Sequence, residues 1–127
     1  MEIPKNYQRV MPYLIMKNAA GFIIFASKVF GASETYKVMR DEKTIMHAEM
    51  MIGESTIMFA DATEQYPPRN AGLFVYVENA DEAYKKALDA GATALTPMGD
   101  QTYGRSGGIK DPFGNEWWIT TPAKPKS

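Results

Sequence analysis

The 127-residue chain has no cysteine and a single histidine. The first absence excludes disulfide frameworks, thiolate zinc sites and cysteine nucleophiles. The second leaves any imidazole chemistry to His47 alone. Neither charge is in excess, with 14 Lys+Arg against 15 Asp+Glu, a net charge of -1 and no basic cluster. Nucleic acid and anionic membranes therefore lack their usual electrostatic footprint and are not expected partners. No apolar stretch is long or uninterrupted enough for a membrane span or a secretory signal, so a cytoplasmic location is expected. There is no G-x-S-x-G elbow, and Ser27, Ser33, Ser55 and Ser106 lack a histidine–acid arrangement nearby. The glycines of 104-GRSGG-108 sit in a strand context with no helix after them, which rules out a phosphate loop.

What is present is a repeat. The segments 17-KNAAGFIIFASKVFGAS-33 and 78-ENADEAYKKALDAGAT-93 share an Asn-Ala start and a Gly-Ala finish, about sixty residues apart. Asn18 and Asn79 suit helix N-caps, and Gly31 and Gly91 suit C-terminal stops. A short apolar run precedes each helix, 10–16 and 73–77. Three strand candidates follow each, 34–40, 45–52 and 55–61, then 94–98, 102–110 and 115–121. Each half thus reads strand, helix, three strands, and the Pro-Pro segment 67–72 is the natural linker. Module one spans about 8–65, module two about 72–121, and 122–127 forms a Pro/Lys/Ser-rich tail expected to fray. With 45% hydrophobic and 23% charged residues, one α+β domain built from two copies of a βαβββ unit is expected.

These features resemble a known family. The two modules, the Asn-Ala helix start, the Val-Phe-Gly helix end, 47-HAEMMIGESTIM-58 on the first hairpin and 104-GRSGGIKDPFGNEWW-118 on the second are similar to the vicinal oxygen chelate superfamily. That superfamily includes glyoxalase I, extradiol dioxygenases and bleomycin-resistance proteins, and the likeness is strongest to its small PhnB-like branch. The resemblance covers about Val10 to Thr121 and implies a partly rolled mixed sheet forming a cup, with helices outside and a homodimeric assembly.

Alternation then predicts the cup's lining. A two-residue turn at Gly53-Glu54 sets Ser55 opposite Ile52, Thr56 opposite Met51, Met58 opposite Glu49 and Ala60 opposite His47. Met46, Ala48, Met50, Ile52, Ile57 and Phe59 would pack under a helix, while His47, Glu49, Met51, Thr56, Met58 and Ala60 would face the cup. If the turn of the second hairpin is Asp-Pro-Phe-Gly, Trp118 lies opposite Gly107 and Thr120 opposite Arg105. Trp117 and Ile119 would face the helix layer, and Arg105, Glu116, Trp118 and Thr120 the cup. Tyr13 and Ile15 would join through alternation with Met11, and Val75 with Leu73.

In metal-dependent relatives the ligands come from the first and last strand of each module. By resemblance those positions fall on Met11, Met58, Leu73 and Trp118, none of which suits a divalent ion. No cofactor is therefore expected, a relocated metal on His47, Glu49 and Glu116 being the minority alternative. His47 and Glu49 stand two apart on one strand, so both project to one side, as an acid/base pair requires. The alternative is a histidine bonded to a neighbour and a glutamate that is solvated or paired with Arg105. The expected function is binding of an apolar or aromatic small molecule by Met11, Tyr13, Met51, Met58, Leu73, Arg105, Glu116 and Trp118. A metal-dependent or acid/base lyase or isomerase, with His47 and Glu49 catalytic, is the alternative.

Overall fold

The computed structural model describes residues 1–124, and the last three residues of the expected tail lie outside them. The chain divides into two compact units, Met1–Asn70 and the portion from Ala71 onward. Unit one contains β1 (Tyr13–Met16), α1 (Ala19–Phe30), β2 (Ser33–Met39), β3 (Ile45–Ile52) and β4 (Ser55–Asp61). Unit two repeats the series with β5 (Gly72–Tyr76), α2 (Ala80–Asp89), β6 (Thr93–Gln101), β7 (Gly104–Lys110) and β8 (Glu116–Pro122). Each unit holds a four-stranded mixed sheet, ordered β1-β4-β3-β2 in the first and β5-β8-β7-β6 in the second. Neither sheet closes into a barrel. The outer strand heading each sheet runs parallel to its neighbour, and the remaining pairs are antiparallel.

The helices begin where the asparagines place them. Asn18 Oδ1 accepts from Gly21 N at 3.0 Å and Asn79 Oδ1 from Glu82 N at 3.1 Å, each satisfying an otherwise unpaired N–H of the first turn. At the end of α1, Gly31 adopts φ 67°, and Ala32 N reaches back to Ala26 O, a closure that a side chain at Gly31 would strain. Ala19, Phe22, Ala26 and Val29 recur at helical spacing and are buried against β3 and β4, where Phe22 meets Phe59 edge to face.

A second tether ties each helix start to its sheet. Asp61, at the end of β4, accepts from Ala19 N at 2.8 Å and from Ile45 N at 2.6 Å. At the end of β8, Thr121 Oγ1 accepts from Ala80 N at 2.8 Å and donates to Val77 O. Both devices fix the helix over one face of its sheet and leave the other face without a helix.

The first hairpin has the expected register, with Ile52 opposite Ser55, Met51 opposite Thr56 and Glu49 opposite Met58. One residue departs. Met46 is 49% exposed, and Ile45 is buried in its place. β2 and β3 slip there, Val38 pairing with His47 and Met39 with Ile45, so Met46 is the extra residue of a bulge.

The second hairpin corrects the expected register by one residue. Lys110 pairs with Glu116, Gly108 with Trp118, Ser106 with Thr120 and Arg105 with Thr121. The turn holds five residues rather than four because Asp111 organises it. Its Oδ1 accepts from Phe113 N and Asn115 N, and its N donates to Asn115 O. Its Oδ2 accepts from Trp117 Nε1 at 2.8 Å, which locks the indole into the core at 2% exposure.

Candidate functional site

In unit one the open face gathers its polar groups around the middle of β3. The side chains of His47 and Glu49, two apart on β3, project together, and His47 Nε2 lies 2.7 Å from Glu49 Oε2. Tyr13, at the head of β1, reaches His47 Nδ1 with its hydroxyl at 3.0 Å. The Tyr7 hydroxyl donates to Glu49 Oε1 at 2.5 Å. The four groups therefore form one hydrogen-bonded line, Tyr13–His47–Glu49–Tyr7. The Tyr36 ring, on β2, lies 6.1 Å from the imidazole between centroids.

Tyr7 belongs to an N-terminal strap. Gln8 and Thr56 exchange a reciprocal pair of bonds at 3.1 Å, and Thr56 Oγ1 donates to Asn6 O, so the segment is fastened to the start of β4. Beneath it lies a 280 Å³ cavity lined by Lys5, Tyr7, Tyr36, Glu49, Met51 and Thr56, among others. The expected place of Met51 on this face is met.

Glu49 is 5% exposed. Burial raises its pKa, but the bonds from Tyr7 and His47 and the imidazole's charge outweigh that and hold it below the ordinary glutamate value. The same bond raises Tyr7, because donating to a carboxylate favours the protonated phenol. Tyr13 is raised first by burial and then by Glu49, with Arg40 opposing.

In unit two the corresponding face is aromatic. Trp118 is half-buried, with Phe74 its partner on β5. Phe74 and Tyr76 are 52% and 61% exposed and meet edge to face at 5.2 Å, and Tyr103 lies 6.2 Å from Phe74. The indole has room because its neighbours are glycines. A Cβ on Gly72 would stand 3.2 Å from the ring, and one on Gly108 would stand 3.4 Å from its Nε1.

Several expected residues move. Gly107 is not the glycine facing Trp118, since a Cβ there would meet Met98 and Tyr84 of α2 instead. Leu73 pairs with Trp117 and Val75 with Ile119, so both point to the helix side, and Phe74 and Tyr76 take the open face. Arg105 also lies on the helix side, where it grips Asp81 of α2 through two bonds of 3.0 Å and Asp100 at 3.2 Å. It pairs with neither Glu49 nor Glu116. Glu116 keeps its side, in step with Trp118 and paired with Gly72 and Lys110. Met11 precedes β1, and the strand position paired with Met58 is Tyr13.

Residues 9–119 match the Glyoxalase/Bleomycin resistance protein/Dioxygenase superfamily. The chain belongs to that superfamily. An uncharacterised protein of Mycobacterium bovis is 32% identical over 125 residues, covering 89% of this chain and 82% of the relative. Among solved structures, TioX from a Micromonospora species superposes with a TM-score of 0.72 at 21% identity, covering 94% of this chain and all of the other. A Bacillus cereus PhnB protein, described as a putative 3-demethylubiquinone-9 3-methyltransferase, gives 0.70 at 18% identity, covering 90% and 99%. These similarities place the chain with PhnB-like relatives in fold.

The divalent ion that the superfamily implies can be tested against the donors present. The paired strand positions hold Tyr13 with Met58 and Phe74 with Trp118, a thioether and three aromatic rings. Among the described residues no three His, Asp or Glu side chains come together to hold a metal ion. The donor set does not fit such an ion. Among those residues, too, no helix is long and apolar enough to cross a membrane.

Tyr7, Tyr36, Phe74 and Tyr76 are the site residues that sequence reasoning missed. Tyr36 was not legible, since it stands opposite Glu49 only through the register shifts of the β2–β3 ladder. Nor were Phe74 and Tyr76, because 73-LFVYV-77 is apolar at every position and alternation cannot choose its face.

Proposed function

We propose that this superfamily member binds an apolar or aromatic small molecule and does so without a resident metal ion. The observation that carries the reading is that each unit by itself places such groups at its paired strand positions, Tyr13 with Met58 in unit one and Phe74 with Trp118 in unit two, Tyr13 and Phe74 being about half exposed. Flat rings and a thioether gain from contact with a planar apolar ligand and offer a cation little. Tryptophan fluorescence titrated with a panel of planar aromatic compounds tests it. Loss of one aromatic contact, about 1.4 kcal/mol, corresponds to roughly tenfold weaker binding in Trp118→Ala. Absence of binding across the panel would remove the proposal, and a stoichiometric, chelator-sensitive metal in elemental analysis would remove its metal-free part. The reading includes a homodimer, as the family resemblance implies, and sedimentation as a monomer would strike that element.

One observation favours a second reading, acid/base catalysis of lyase or isomerase type. It is the buried, hydrogen-bonded Glu49 set against His47. Any turnover found should then be lost in both His47→Ala and Glu49→Gln.

A further inference from the structure

Unit one contains a carboxylate, an imidazole and a hydroxyl in line, and the chemistry of each end fixes the protons between them. Glu49 is ionised near neutral pH and can only accept, so His47 Nε2, 2.7 Å away, carries a proton. Nδ1, 3.0 Å from the Tyr13 oxygen, therefore accepts the Tyr13 proton while the ring is neutral and donates to that oxygen once the ring is charged. A base oriented by an acid and bonded to a hydroxyl is the arrangement that moves protons through that hydroxyl. Tyr13 is 48% exposed, so a ligand can approach its side chain.

We propose that Tyr13, His47 and Glu49 form a proton-transfer site for a planar phenol or enol, whose hydroxyl proton passes through Tyr13 to His47. The proposal rests on the reading that the open face of unit one receives a planar ligand. The ligand's O–H bond breaks as its proton joins the Tyr13 oxygen, and the proton that Tyr13 held moves to Nδ1. The ligand becomes an oxyanion hydrogen-bonded to the re-formed Tyr13 hydroxyl. His47 becomes an imidazolium with Nδ1–H toward Tyr13 and Nε2–H toward Glu49. For an enol, return of the proton to carbon instead of oxygen completes a tautomerisation, and no other reactant is needed.

The surroundings favour this ligand class. The Tyr13 ring lies 5.5 Å and the Tyr36 ring 6.1 Å from the imidazole, and Met58 pairs with both Tyr13 and Glu49. Rings and a thioether suit a flat conjugated molecule. Of the titratable and charged groups around the line, Glu49 faces His47 Nε2, Arg40 acts on Tyr13 from a distance, and Tyr7 and Tyr36 are phenols acting on one another around Glu49. Tyr13 itself stays protonated, because burial and Glu49 raise its pKa against Arg40. It thus relays a proton and holds no resident charge.

Unit two provides an internal contrast. Phe74, Ser106 and Gly108 stand where unit one has Tyr13, His47 and Glu49. At those positions it offers a ring to stack on and no imidazole–carboxylate pair.

The test uses 4-nitrophenol with the full chain, read by the absorbance of its phenolate and by the imidazole 15N signals. These signals come from one residue, since the chain has one histidine. At saturation the ionised fraction at a pH below the ligand's own midpoint should rise about tenfold, a shift of one pKa unit. His47 should then show both ring nitrogens protonated. Tyr13→Phe keeps the ring and should abolish both signals, as should His47→Gln, while Glu49→Gln should reduce them. The imidazole spectrum of unliganded Tyr13→Phe reports whether the His47–Glu49 pair remains formed. Retention of the phenolate band in Tyr13→Phe overturns the proposal. So does binding of 4-nitrophenol in equilibrium dialysis with no phenolate band and no change at His47, an outcome that leaves the ligand-binding reading intact. Failure of every planar compound to bind removes both.

Discussion

The two units share one topology and solve the same problems with different side chains. Asp61 and Thr121 hold the helix starts from equivalent strand ends, the first as a carboxylate serving two backbone N–H groups and the second as a hydroxyl serving one. The open faces diverge further. Unit one concentrates titratable groups, Tyr13, His47 and Glu49 with Tyr7 across them, whereas unit two at the same rungs has Phe74, Ser106 and Gly108 beside Trp118. The scaffold therefore tolerates a charged line or a ring with a glycine floor at the same positions. What it conserves between its halves is the tether and the register, and chemistry is free to vary on the uncovered face.

Several substitutions would break or sharpen that contrast. The largest effect should come from Trp117→Ala, about 4 kcal/mol from a cavity and a stranded Asp111 oxygen. Ile57→Ala at the equivalent rung of unit one should cost about 2.5 kcal/mol. Urea denaturation of both variants measures the difference. Asp61→Ala should cost about 3 kcal/mol by leaving two N–H groups without their acceptor, against about 1 kcal/mol for Thr121→Val. Equal losses would show that the two tethers are interchangeable.

A pH series separates the units more finely. Glu49 releases its proton more readily in the folded chain than in the unfolded one, so the unfolded state binds more protons through the carboxylate range. Its contribution is complete above the ordinary glutamate pKa and is lost as the pH falls through the lower folded value. Glu49→Gln should flatten that part of the stability curve. An unchanged slope would mean that Tyr7 and His47 bind the unfolded carboxylate equally well. The smallest stability effect, under about 1 kcal/mol, belongs to Trp118→Ala, whose main consequence should be weaker ligand binding.

Much of this architecture was legible in the chain. Two asparagine caps, two glycine stops and a two-residue Gly-Glu turn placed both helices and the first hairpin, because each signal is local and acts through the backbone. The second hairpin slipped by one rung because its turn is set by the Asp111 carboxylate reaching three partners within six residues, which turn composition alone does not reveal. That slip sent Arg105 to the wrong face. The pairing of His47 with Glu49 followed from alternation, but Tyr7 did not, since it arrives from 42 residues away on a segment with no periodicity.

The adjacent tryptophans have a practical meaning as well. One indole is sealed in the core with its N–H on a carboxylate, and its neighbour sits half open on the opposite face. The molecule thus carries two optical gauges on consecutive residues. With Trp118→Phe the remaining emission follows unfolding, and with Trp117→Phe it follows occupancy of the open face. Protein samples carrying one change each can therefore separate a compound that binds from one that merely destabilises.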